Sequence, residues 1–170
     1  LSSMSKFIVD SNFFIQAHRS IYPLDVVQSF WLKVKGLSQK GTIISIDKVR
    51  KEIFDNSSHE DELKLWCDSN LPSDFFVNTN SVLNNYISIV SWANSMSHHY
   101  TTNAIQEFLE TDLADPWLIA FAMSSDWTIV TYEKSEPNRK NRIKIPEVCN
   151  QFNVRYINTI EMLRELKENF

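Results

Sequence analysis

Four acidic residues, Asp10, Glu52, Asp115 and Glu133, fall where their carboxylates could act on one ligand. Asp10 ends the apolar run Phe7 to Val9 in "KFIVDSNFFI", and Glu52 lies in "ISIDKVRKEIFD" after a second apolar run. Asp115 and Glu133 belong to "LETDLADPWLIAFAMSSDWTIVTYE", at the head of an apolar helix and just past the strand that follows it. A carboxylate at the C-terminal end of a buried parallel strand stands at the edge where open α/β sheets hold ligands. Clustered carboxylates repel, which raises their pKa values and titrates them as a coupled set unless a cation lies among them. Hard oxygen donors in this number suit Mg²⁺ or Mn²⁺. Such ions lower the pKa of a coordinated water and offset the charge that develops on a phosphodiester.

Each acid taken alone also has an ordinary structural reading. Asp10, Ser11 and Asn12 are all good helix N-caps, because their short side chains accept bonds from free backbone N–H groups. Asp47 reads as another N-cap, and Asp115-Pro116 as an N-cap and N1 pair. Asp112, three residues before Asp115 on a similar helical face, competes with it for the third position. Ser11, Asn12 and Thr131 are candidates to orient ligands from behind, although capping or strand-end bonding suits Ser11 better.

The elements that must position these residues are legible as apolar, β-branched runs at Phe7 to Val9, Thr42 to Ile46, Phe75 to Val77, Thr128 to Thr131 and Val154 to Ile157. Between them, Val82, Tyr86 and Val90, or Ile105, Phe108 and Leu109, follow helical spacing. Strand and helix alternate, which predicts a three-layer α/β/α sandwich around a mainly parallel sheet of four to five strands. Residues 56 to 111 form a long, mostly helical excursion broken by a short strand near Phe76. Trp117 and Phe121, on the Asp115 helix, are assigned to the core.

At 170 residues, with 43% hydrophobic residues including eleven Phe and five Trp, one domain over 4–170 is expected. Leu1-Ser2-Ser3 ahead of Met4 reads as a cloning remnant. No apolar run approaches the ~18 residues of a membrane span and none has signal-peptide flanks, so a soluble, cytoplasmic protein is expected. Cys67 and Cys149 have neither disulfide-framework nor zinc-ligand spacing, and the adjacent His98 and His99 read as exposed helix residues. With only Gly36 and Gly41, no glycine-rich phosphate loop can be built. A net charge of −4 excludes bulk electrostatic coating of nucleic acid but not a local basic patch. Such a patch follows Glu133 in "KSEPNRKNRIKIPEV", where Lys134, Arg139, Lys140 and Arg142 gather with Lys144. It reads either as a solvated loop or as the positive charge that holds an RNA backbone beside the acids.

The blocks "FIVDSN", "VRKEI", "DLADPWLIAFA", "WTIVTYE" and "VRYINTIEML" resemble, in order and spacing, the successive motifs of the PIN-domain nucleases, from Lys6 to about Leu166. The likeness is to a bacterial branch catalogued as a domain of unknown function and related to VapC-type toxins of toxin–antitoxin pairs. The resemblance implies a PIN-like fold and a metal-dependent endoribonuclease that hydrolyses RNA phosphodiester bonds with Mg²⁺ or Mn²⁺. By it, Asp10, Glu52 and Asp115 are the first three catalytic and metal-binding acids. Asn12 and Thr131 are their small polar neighbours. Glu133 takes the fourth position, usually Asp, where its longer side chain suits a contact through water. A cognate antitoxin and a homodimer, with the 56 to 111 excursion as interface, are implied partners. The alternative is a PIN-like module without catalysis that binds protein or RNA. A phosphoacceptor domain also places Asp after a first strand, but Asn12 stands where the dehalogenase pattern has a second Asp.

Overall fold

The computed structural model describes residues 5–55 and 61–169. The stretch Leu1 to Ser3 and the first part of the 56 to 111 excursion lie outside the described residues.

Five short strands form one parallel sheet: β1 (Phe7–Val9), β2 (Ile43–Ile46), β3 (Phe76–Val77), β4 (Thr128–Val130) and β5 (Tyr156–Ile157). Their spatial order is β3-β2-β1-β4-β5. The helices between them are α1 (Ser11–Gln16), α2 (Gln28–Gln39), α3 (Asp47–Asp55), α4 (Asp61–Asn70), α5 (Leu83–Ser95), α6 (Thr102–Phe108), α7 (Ala114–Ser125), α8 (Ile145–Phe152) and α9 (Thr159–Glu165). The expected three-layer α/β/α architecture is therefore present, with every predicted strand found. The strands are shorter than the apolar runs, because Thr42, Phe75, Thr131 and Val154 lie outside the ladders.

The sheet interior explains the apolar runs. Phe7, Ile8, Val9, Ile43, Ile46, Ile129 and Val130 are fully buried, as expected of strands covered on both faces. Helix α1 adds Phe13 and Phe14, which stack edge-on at 5.1 Å and continue to Phe30 of α2 and Phe75 before β3. Burying such a Phe stabilises by roughly 1.5–3 kcal/mol, so this aromatic row anchors the β1–α1 junction against the sheet. On the other side of the chain path, α5 packs against α7, where Tyr86 and Trp117 stack at 3.8 Å. Trp117 and Phe121 are half-buried and packed against the core, in line with their assignment.

The chain moves outward from β1 through β2 to β3, then returns across the sheet to β4 and β5. The reversal leaves a switch point between β1 and β4, whose C-terminal ends meet where Val9 pairs with Val130. In open parallel sheets that crevice is the place for a ligand. His98 and His99 differ from expectation, since α5 stops at Ser95 and they sit in the turn after it. Among the described residues no helix is long and apolar enough to cross a membrane.

Candidate functional site

Asp10 is the first residue past β1 and the N-cap of α1, its Oδ1 accepting the Phe13 N–H at 2.8 Å. It is 3% exposed. Burial pushes its carboxyl up to about 7; the Thr131 hydroxyl and the Phe13 amide oppose the shift, and the negative charges of Glu133 and Glu52 add to it. The structural and functional readings of Asp10 thus coexist: one oxygen caps a helix while the group stays at the switch point among other acids.

Glu52 points from the second turn of α3 back over the sheet edge. Its Oε1 accepts the Ala114 N–H at 3.2 Å, and its Oε2 accepts the Ser11 hydroxyl at 3.5 Å. Burial raises its pKa, with both hydrogen bonds opposing. Two local expectations are corrected here. Ser11 does not cap a helix, because Asp10 already supplies the α1 cap, which leaves the Ser11 hydroxyl to hold Glu52. Asp115 is not an N-cap either: α7 starts two residues earlier than expected, at Ala114 with Leu113 at the cap position, and Glu52 reaches across to satisfy its first N–H.

Freed from capping, Asp115 sits half-buried in the first turn of α7. Among the described residues its carboxyl makes no hydrogen bond or ion pair. Its pKa is raised well above the ordinary range by burial, then by the charges of Glu133, Glu52 and Asp10, with Arg142 opposing. It lines a cleft of about 300 Å³ together with Glu107, Glu110, Leu113 and Arg142. The competitor Asp112 lies outside this cluster, exposed and paired with Lys51 at 2.9 Å. Asp47, at the end of β2, joins a separate network with Lys48 and Thr79, accepting the Thr79 hydroxyl at 2.9 Å.

Glu133 is the most committed of the four acids. Its Oε2 accepts the Ile145 N–H at the start of α8 at 2.7 Å, and its Oε1 pairs with Arg142 at 2.8 Å. Its own N–H donates to Thr131 Oγ1 at 3.1 Å. The side chain therefore closes the β4–α8 loop onto the site. Asn12 is exposed, and its side chain makes no hydrogen bond among the described residues.

The basic loop is partly neutralised from within. Arg139 and Lys144 both pair with Glu136, at 3.0 and 2.9 Å, and Arg142 pairs with Glu133. Of the four proposed backbone-binding residues, Lys134 and Lys140 alone have no ion pair among the described residues. Sequence reading misses this second use of the loop's charges. Glu136 is visible three residues before Arg139, but the reach of Glu133 over nine residues to Arg142 needs the folded loop.

Three of the four acids serve a helix start: Asp10 that of α1, Glu52 that of α7 and Glu133 that of α8. Partial positive charge at helix N-termini offsets some of their repulsion. The donors are all carboxylate oxygens around an edge crevice, with one carboxyl left without a hydrogen bond or ion pair among the described residues, and that chemistry fits a hard divalent cation. Among the described residues, no three His, Cys, Asp or Glu side chains already stand close enough to hold an ion together.

These features define an open parallel α/β protein with an acidic site at its topological switch point. The family model described as Domain of unknown function (DUF4411) matches residues 7–170, nearly the whole chain, and the chain belongs to that family. No curated protein matches it.

Proposed function

We propose that this chain is a Mg²⁺- or Mn²⁺-dependent endoribonuclease whose acids are Asp10, Glu52 and Asp115, with Glu133 as a positioning group. The observation that carries the reading is the carboxyl of Asp115. It is half-buried beside three other acids, it does no capping, and it has no hydrogen bond or ion pair among the described residues. An arrangement so costly in repulsion is understandable where a cation enters. Asp10, Glu52 and Asp115 would hold the ion, which would supply an activated water and charge stabilisation on the phosphodiester. Glu133 keeps Arg142 at the mouth of the crevice, and Lys134 and Lys140 offer charge to the RNA backbone. The resemblance to VapC-type toxins supports a cognate antitoxin as partner, and a homodimer through the 56 to 111 excursion belongs to the same reading.

The test is thermal unfolding of wild type and Asp115→Asn across a Mn²⁺ titration, followed by cleavage of mixed RNA. Native-state binding stabilises by about 2.7 kcal/mol at a hundred times the dissociation constant. A saturable rise in wild type that Asp115→Asn loses is the expected result, with RNA cleavage lost in the same variant. The second reading, a PIN-like binding module without catalysis, is favoured by the full engagement of Glu133 and by the spacing of the acids. Absence of a metal-dependent shift in both proteins would establish that reading over ours.

A further inference from the structure

A second cleft, of about 400 Å³, opens beside the β4–α8 loop, which contributes Pro137 to it. Its walls include Trp92, Met96, His99 and Tyr100 around the α5–α6 turn, Pro137 of the loop, and Glu147 and Asn150 of α8. The chemistry of its lining is that of a nucleobase site. Trp92, His99 and Tyr100 pack edge to face, at 6.3 Å between Trp92 and Tyr100 and 4.6 Å between His99 and Tyr100. Glu147 uses Oε1 for the Ser135 hydroxyl and the Glu136 N–H, while its Oε2 is buried without a hydrogen-bond partner. Glu147 thus ties the loop to α8, and the exposed Asn150 supplies an amide to the cleft wall.

Charge also favours a nucleic-acid strand here. From Phe75 to Gln106 the chain carries no Asp, Glu, Lys or Arg, so the aromatic wall of an otherwise acidic protein does not repel phosphate. Lys134 and Lys140, the loop lysines without an ion pair among the described residues, adjoin residues at the cleft. Lys134 adjoins Ser135, which is fixed to Glu147, and the Lys140 carbonyl accepts the Thr101 N–H at 2.9 Å beside Tyr100. The same loop carries Glu133 and its partner Arg142, which lines the cleft of Asp115.

We propose that this cleft binds one unpaired base of single-stranded RNA, whose polar edge meets the Asn150 amide while Lys134 and Lys140 hold the flanking phosphates. The inference rests on the nuclease reading for the RNA itself and adds that the substrate is single-stranded where it crosses the loop. Single-strand binders combine such a stacking surface with a basic track, and loss of one stacking partner typically weakens binding by about tenfold or more.

The experiment is fluorescence anisotropy of a labelled single-stranded octanucleotide of mixed sequence in excess EDTA, with wild type, His99→Ala and the double variant Lys134→Ala/Lys140→Ala. Thermal midpoints verify that the variants are folded. We expect His99→Ala to weaken binding about tenfold with an unchanged salt slope, the lysine variant to reduce the slope by about one to two, and the corresponding duplex to compete poorly. Photocrosslinks from a 4-thiouridine oligonucleotide should map to Trp92, His99 or Tyr100. Absence of single-strand binding, equal affinity in His99→Ala, or crosslinks confined to other surfaces would overturn the proposal. Because EDTA removes any metal, cleft-dependent binding without a Mn²⁺ shift would keep this inference and sink the catalytic reading. A Mn²⁺ shift with unchanged His99→Ala binding would do the reverse.

Discussion

The Glu52 carboxylate bridges the starts of two helices, accepting the Ser11 hydroxyl at 3.5 Å and the Ala114 N–H at 3.2 Å. Asp10 directly precedes Ser11 and Asp115 directly follows Ala114. A single side chain on α3 thereby links the two helix starts that carry the other two acids of the crevice.

This bridge separates the structural role of Glu52 from its proposed role as a ligand. Glu52→Gln keeps an acceptor for Ala114 and should leave stability within about 0.5 kcal/mol of wild type, whereas Glu52→Ala strips the first N–H of α7 and should cost about 1 kcal/mol. Both should lose the Mn²⁺ response. Urea unfolding with and without Mn²⁺ measures the two effects in one series, and a full metal response in Glu52→Gln would remove Glu52 from the ligand set.

Asp115→Asn should stabilise the metal-free protein. The carboxyl has burial and three like charges against it, with no hydrogen bond to lose, so neutralising it relieves repulsion worth on the order of 1 kcal/mol. Most substitutions at a half-buried position destabilise, so a higher unfolding midpoint in EDTA would be diagnostic. A lower midpoint would mean that the carboxylate has a structural role.

Acidity gives a third expectation. Asp10 is raised from an ordinary 3.8 to about 7. Between those values the folded chain keeps a proton that the unfolded chain has released. Stability from this group is complete at about pH 4 and below, falls as pH rises toward 7, and levels off above it. Glu52 and Asp115 shift in the same direction. A three-unit shift corresponds to about 4 kcal/mol at most for a single uncoupled group. Chemical unfolding in EDTA from about pH 5 to 8 should show this decline, flattened in Asp10→Asn, which retains the α1 cap. An equal slope in both proteins would contradict the assignment.

Glu133 should prove structural first. Glu133→Gln can keep an acceptor for Ile145 while weakening the pair with Arg142, and its Mn²⁺ response should persist. Glu133→Ala removes both contacts from a side chain that is 11% exposed and should cost about 1–3 kcal/mol. Loss of the metal response in Glu133→Gln, with stability intact, would instead make it a ligand of the ion.

The sequence by itself determined the parts that depend on neighbours in the chain. The apolar runs specified all five strands, alternation with helical spacing specified the layered architecture, and Asp10 was readable as both strand end and cap because those roles use adjacent residues. Only the tertiary structure decided which acid does what. Asp115 has a sequence context suited to capping, yet Glu52 takes that task from 62 residues away and leaves Asp115 without a hydrogen-bond partner among the described residues. Ser11 turns from capping to holding Glu52 across 41 residues, and the basic loop spends Arg139, Arg142 and Lys144 on carboxylates that fold back onto it. Backbone periodicity is a local property of the chain. A carboxylate's partner, and with it its pKa, is set by whatever the fold brings within hydrogen-bonding reach and by how much water burial removes.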